Sequence, residues 1–276
     1  MTLRVLREVA FLLCTVGLAI PSSPARAQVS GRLPPMDPNA NPSFDVATIK
    51  PNDSGKPSMQ GLTIIGRRFK AVNASLDDLI QVAYKVHARQ IVNGPDWRSK
   101  KRYDIIAVPD KDGAPNAEQV RNMMRKLLAD RFKLQFHHDE RELPAYLLTA
   151  GKNGAKLTPT EQKGQLPNFH YEPTEAGVTL FAANATMTDF SGYLQLVVLD
   201  RPVVNRTGIA GRFDFQCTFT PDDSQFNGHS PLSSQTDATA PSLYEALQQQ
   251  LGLRLSAERT SIDVIAIDHI EPPSEN

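Results

Sequence analysis

Cysteine is nearly missing from this sequence: the chain has Cys14 and Cys217 and no other. Neither Cys-x-x-Cys nor His-Glu-x-x-His occurs, which excludes a dithiol redox pair and the commonest zinc signatures. A Gly-x-Ser-x-Gly elbow, a phosphate-cradling glycine loop and a dinucleotide fingerprint are absent too. There is no excess of either charge, since 30 Lys plus Arg face 30 Asp plus Glu. Nucleic acid is therefore not expected as a partner, because phosphate binding needs a concentrated basic surface. What remains is a chain long enough to bury a substantial core without metal or disulfide help. Its composition fits neither collagen, nor a long coiled coil, nor wholesale disorder.

The one long apolar run lies at the start. Arg4 and Arg7 precede the apolar stretch Val9 to Ile20, and Ala25-Arg26-Ala27 supplies a small-x-small cleavage site. Residues 1–27 therefore read as an export signal, with the mature chain starting at Gln28; a retained membrane anchor is the alternative. The apolar stretch is short for a membrane span of about 20 residues. Removing it leaves 27 basic and 29 acidic groups and Cys217 as the sole thiol. Cys217 falls on the same face as Phe213, Phe215 and Phe219 of an alternating strand, where a small buried hydrophobe is expected.

The mature chain contains a weak internal duplication. Phe69 to Val108 corresponds to Leu180 to Phe219, with Asn73-Ala74-Ser75 matching Asn184-Ala185-Thr186 and Arg102-Tyr103-Asp104 matching Arg212-Phe213-Asp214. Leu128 to Ala150 lies 119 residues before Leu247 to His269 and repeats its pattern. Each half opens a helix with a reciprocal cap, Ser75 with Asp78 and Thr186 with Asp189. Second helices follow Asn116 and Ser242, the latter ending at Gly252. Strands are expected at Phe44 to Lys50, at Leu62 to Ile65 turning through Gly66 into Arg68 to Val72, and at Tyr103 to Val108 and Phe213 to Phe219. Each half closes on two further strands, Phe132 to His138 with Leu143 to Ala150, and Leu253 to Glu258 with Ile262 to Ile270, expected to pair as antiparallel neighbours.

These elements predict an α+β fold of two related lobes, each a mixed or mostly antiparallel sheet covered by two helices. The expected divisions are a flexible segment at 28–42, a first unit at 43–150, a linker or long loop at 151–176, and a second unit at 177–276. The second unit carries a polar insertion at 222–240 with little to bury, expected to be mobile.

Candidate chemistry is sparse. His137-His138-Asp139-Glu140 is the richest cluster, but neighbouring strand residues face opposite ways and a single metal is not expected there. Asp77-Asp78 sits at a helix start, where capping explains it. No catalytic residue, metal ligand or cofactor is assigned. The candidate binding surface is the basic run Arg98, Lys100, Lys101 and Arg102 beside Trp97, the only tryptophan, which suits an anionic polymer, a glycan or a protein partner if exposed. The alternative seats Trp97 in the core and leaves the cations solvated.

Several segments together resemble a known family: Ser43-Phe44-Asp45-Val46-Ala47-Thr48-Ile49-Lys50-Pro51-Asn52, Asn93-Gly94-Pro95-Asp96-Trp97, Leu127-Leu128-Ala129-Asp130-Arg131-Phe132-Lys133-Leu134, Arg201-Pro202-Val203-Val204, Gly211-Arg212-Phe213-Asp214 and Ile267 to Asn276. The sequence is similar to the soil-associated proteins, abundant in Acidobacteria, that share domain of unknown function 3738. That resemblance implies export, an uncharacterised role and no catalytic residues to carry over. Similar domains joined to membrane peptidases of the antibiotic-sensor type imply an extracytoplasmic sensing or docking role. The expectation is a non-catalytic periplasmic or secreted module binding another envelope protein, a glycan or a small ligand, with no stable membrane span once the signal is removed. A hydrolase whose site forms only on folding and a structural envelope protein are the alternatives.

Overall fold

The computed structural model describes residues 33–161, 167–233 and 236–273. The stretch 1–27, expected as an export signal, and the final residues 274–276 lie outside the described residues.

The α+β class holds. Among the described residues, strands β1 (Phe44–Pro51), β2 (Gly61–Ile65) and β3 (Arg68–Ala74) lead into helix α1 (Leu76–Tyr84), short strand β4 (Ile91–Val92), one-turn helix α2 (Trp97–Lys100), β5 (Tyr103–Pro109), α3 (Ala117–Arg131) and β6 (Gln135–Ala150). Then come β7 (Thr158–Pro159), β8 (Asn168–Thr174), β9 (Gly177–Ala185), α4 (Met187–Tyr193), which runs into a π-helical turn at Leu194–Val198, β10 (Val203–Asn205), β11 (Phe213–Phe219), α5 (Leu243–Leu251) and β12 (Leu253–His269). They form three four-stranded sheets, ordered β1-β5-β3-β2, β7-β11-β9-β8 and β10-β6-β12-β4.

Local chemistry sets the helix starts. Ser75, Asn116, Thr186 and Ser242 each accept from the backbone N–H three residues on, and that residue's side chain bonds back to the cap N–H. Two N-terminal N–H donors at each of these four helices are thus partnered reciprocally. Before α1 and α4 the backbone turns through Asn73 and Asn184 at φ 55° and 52°, a left-handed conformation that asparagine tolerates better than most residues. In both halves the turning residue's N–H donates to the aspartate of the neighbouring strand, Asn73 to Asp104 at 2.9 Å and Asn184 to Asp214 at 2.7 Å. Arg102 and Arg212 then reach the carbonyls of Asn73 and Asn184 and the capping carboxylates Asp78 and Asp189. The hairpin through Gly66, at φ 62°, is present.

The closing strands differ from expectation. Instead of two strands joined by a turn, each half ends in one continuous strand, β6 of 16 residues and β12 of 17. They pair antiparallel with each other along nearly their whole length. Glu142 pairs with Ser261, its counterpart 119 residues on, so corresponding positions meet at the middle of the ribbon. β10 lies parallel to β6 with Val203 opposite Tyr146, and β4 lies parallel to β12 with Ile91 opposite Ile265. The central stretch Glu140 to Glu142 is exposed, so it lacks the apolar alternation of a covered strand. His137 and His138 accordingly lie within a strand rather than at its end.

Sheets and cores therefore do not divide with the two halves. The first core joins α1, α3, β3 and β5 and takes Ile265, Ile267 and Ile270 from the end of the chain. The second joins α4, α5, β9 and β11 and takes Tyr146 and Leu148 from β6. Each long strand starts in its own half's core and finishes in the other's. Burying side chains such as Ile265 and Leu148, both at 0% exposure, stabilises by about 1.5–3 kcal/mol each. The stretch 151–176, expected as a linker, contributes β7 and β8; Phe169 of β8 stacks on Tyr193 and Phe190, while its polar neighbours obscure the strand in the sequence. Residues 33–42 run beside the start of α3, with Met36 buried and bonded to Ala114. In the segment 222–240, Gln225 and Phe226 are buried, and Phe226 stacks on Phe219.

Candidate functional site

The Gly94-Pro95 turn, with Gly94 at φ 77°, swings the chain into α2, and Lys101 returns it to extended geometry ahead of β5. This turn parts the members of the basic run. Trp97 is half-buried and packs against the first core. Arg98 folds back over α1, pairing with the carboxylate of Asp77 and donating to the carbonyl of Ile91. Burial raises the Asp77 pKa from its ordinary value, and Arg98 offsets this in part. These two residues serve the core.

Lys100, Lys101 and Arg102 go elsewhere. They line a cleft of about 720 Å³ whose other walls are the end of β1 and the residues after it, from Ile49 to Asp53, together with Tyr103 and the pair Pro272-Pro273. That volume lies within the roughly 300–1,000 Å³ typical of small-molecule sites. Four cations, Lys50, Lys100, Lys101 and Arg102, face one acid, Asp53. Lys100 pairs with Asp96 at 2.7 Å and Arg102 with Asp78 at 2.6 Å. Lys50 and Lys101 are exposed and have no ion pair among the described residues. The cleft sits beside an edge strand of the first sheet, not at the junction of the two halves.

The junction itself is filled. Gln195 of the π-helical turn donates to the carbonyl of Lys85 and accepts from the N–H of Val203, and Gln90 donates to the carbonyl of Asp263. Asp200 gathers the hydroxyl of Tyr146 at 3.2 Å, Arg201 at 3.2 Å and Arg89 at 3.6 Å. Beside them His87 is buried; burial first, then the Arg89 charge, lowers its pKa to about 4 against an opposing pull from Asp200.

A second, shallower depression of about 470 Å³ lies on the outer face of the sheet containing β8, β9 and β11, between His170, Phe181 and Gln216. His170 stacks on Phe181 at 4.8 Å.

The histidines bond carboxylates or backbone. His137 meets Asp268 at 2.8 Å, His138 meets Asp263 at 2.9 Å, and His269 meets Glu271 at 2.8 Å. Among the described residues no serine, threonine or cysteine hydrogen-bonds to a histidine, and no group of three metal-ligating side chains converges. Cys217 is buried, and burial pushes its thiol up to about 12.

Sequence reasoning missed Lys50, Tyr103 and the proline pair as cleft residues. Lys50 and the prolines arrive by tertiary contact alone. Tyr103 carried a signal, because its counterpart in the other half is Phe213.

Fold and geometry together define an α+β protein with an open, cation-lined cleft. Residues 77–270 match the family described as protein of unknown function (DUF3738). The match spans well over half of the chain, and the chain belongs to that family. No curated protein and no solved structure matches it. Among the described residues no helix is long and apolar enough to cross a membrane.

Proposed function

We propose that the chain is an exported, non-catalytic module, periplasmic or secreted, that binds a small ligand or an envelope partner through the cleft between the end of β1 and the start of β5. The soil-associated, acidobacterial setting implied by the resemblance belongs to the same reading. The observation that carries it is the cleft: it has the volume of a ligand site and two cations without ion pairs, and its lining contains no histidine, serine, threonine or cysteine. Its cations and prolines suit holding an anionic ligand, and its one acid, Asp53, has no histidine, serine, threonine or cysteine beside it in the lining to activate.

The test uses protein beginning at Gln28. Thermal unfolding is followed against anionic, cationic and neutral small molecules and glycan fragments, and turnover is assayed with broad hydrolase substrates. The expected result is a saturable rise in Tm for one class, lost in cleft variants, and no turnover. Turnover that vanishes in a cleft variant would replace this reading with a hydrolase. A flat response to every ligand would leave a structural envelope protein.

A further inference from the structure

We infer that the cleft is an oxyanion site, taking a ligand that joins a carboxylate or phosphate group to an apolar, ring-sized portion, with Lys50, Lys101 and the Tyr103 hydroxyl as its donors. This rests on the binding reading above and specifies its ligand.

The two halves differ where the cleft lies. Positions that recur serve the framework: Asn73 and Asn184, Asp104 and Asp214, Arg102 and Arg212 make the same bonds in both halves. Arg102 is thereby accounted for although it borders the cleft. The three positions around it are different. Lys100, Lys101 and Tyr103 stand where the other half has Ala210, Gly211 and Phe213. Tyr103 opposes Ala74 and Phe213 opposes Ala185, so the two rings hold the same place in their sheets. The fold therefore needs a ring there and has no use for a hydroxyl.

That hydroxyl is carried by a ring of the first core. Tyr103 is only 4% exposed, its ring packs edge-on against Phe132, and it lines the cleft. Its hydroxyl has no hydrogen-bond partner among the described residues and is not one of their enclosed unpartnered polar atoms, so it reaches solvent. Served only by water, this O–H gains when a charged acceptor supplies its bond instead. An anionic oxygen entering the cleft would do so while also neutralising Lys50 and Lys101. Pro51, Pro272 and Pro273 offer rigid apolar surface for the rest of the ligand.

The experiment titrates the protein beginning at Gln28 with phenyl phosphate, phenylacetate, inorganic phosphate and benzyl alcohol by calorimetry, with backbone-amide NMR to locate the site. At least one ring-bearing anion should bind saturably, shift residues around Lys101 and Tyr103, and weaken as salt rises. The tighter of the two anions identifies the headgroup, and inorganic phosphate should bind more weakly for want of the ring. Tyr103→Phe should raise Kd about tenfold, the loss of one hydrogen bond to a charged group. Lys101→Ala should raise it and flatten the salt dependence, while Lys152→Ala, just beyond the end of β6 and not in the cleft lining, should change nothing. The inference is overturned if benzyl alcohol binds as tightly as the anions, or if Tyr103→Phe and Lys101→Ala leave Kd unchanged. Should a neutral compound alone occupy the cleft, only the oxyanion reading falls. Should nothing occupy it, the binding module falls as well.

Discussion

Asn73 is the position where backbone strain, hydrogen bonding and internal duplication can be tested in one pair of substitutions. It is 1% exposed and sits at φ 55°. Its side-chain amide donates to the carbonyls of Lys56 at 3.0 Å and Ser58 at 2.7 Å. Asn73→Gly keeps the left-handed backbone and loses both bonds. Lys56 and Ser58 are exposed, so water can replace the donor, and the cost should be about 1–2 kcal/mol. Asn73→Ala loses the same bonds and also places a Cβ in left-handed geometry, adding about 1 kcal/mol. Urea denaturation should therefore rank wild type above Gly above Ala, with similar m-values. Because Asn184 shares the geometry at φ 52°, the Ala-minus-Gly gap should reappear there at about the same size. Alanine matching or exceeding glycine at both positions would refute the strain argument. A gap at one position only would refute the equivalence of the halves.

His87 has its pKa lowered from 6.5 to about 4, so the folded state binds fewer protons than the unfolded state in that window. Stability that is complete above pH 6.5 should fall by roughly 3 kcal/mol as pH drops toward 4, and His87→Asn should flatten that part of a denaturation-versus-pH curve. Cys217, buried with its thiol pushed up to about 12, should resist alkylation in native protein and react fully in denaturant; fast native labelling would contradict its burial. Because the first core needs Ile265 and Ile267 and the second needs Tyr146 and Leu148, neither 33–161 nor 167–273 should fold alone by circular dichroism and NMR, whereas mixing the two should restore structure. A cooperatively folded single half would show that the exchanged strands are dispensable.

The parts of this fold legible in the sequence are those governed by neighbours in the chain. Ser75, Asn116, Thr186 and Ser242 could be read as caps because a cap and its reciprocal partner lie three residues apart. The alternation of Phe213 to Phe219 likewise exposed a strand with one covered face. Where two strands cross open solvent, at Glu140 to Glu142 and Glu258 to Arg259, polarity is uniform and the pattern resembles a turn. That stretch hid the exchange of strand ends, which joins residues far apart in the chain. The site divided in the same way. Lys100, Lys101 and Arg102 were visible as a charge run, but the turn into α2 sends Arg98 to Asp77 and Trp97 to the core, a separation that composition cannot express.

The central claim is that the fold's framework and its binding surface are separable, the first shared by both halves and the second confined to one. Replacing Lys100, Lys101 and Tyr103 together by alanine, glycine and phenylalanine gives the first half the residues of the second, Ala210, Gly211 and Phe213. The decisive measurement is the stability and phenyl phosphate or phenylacetate affinity of this triple variant, side by side with wild type. The account predicts unfolding free energy within about 1 kcal/mol of wild type and no detectable binding. Retained affinity, or a variant that no longer folds, would contradict it.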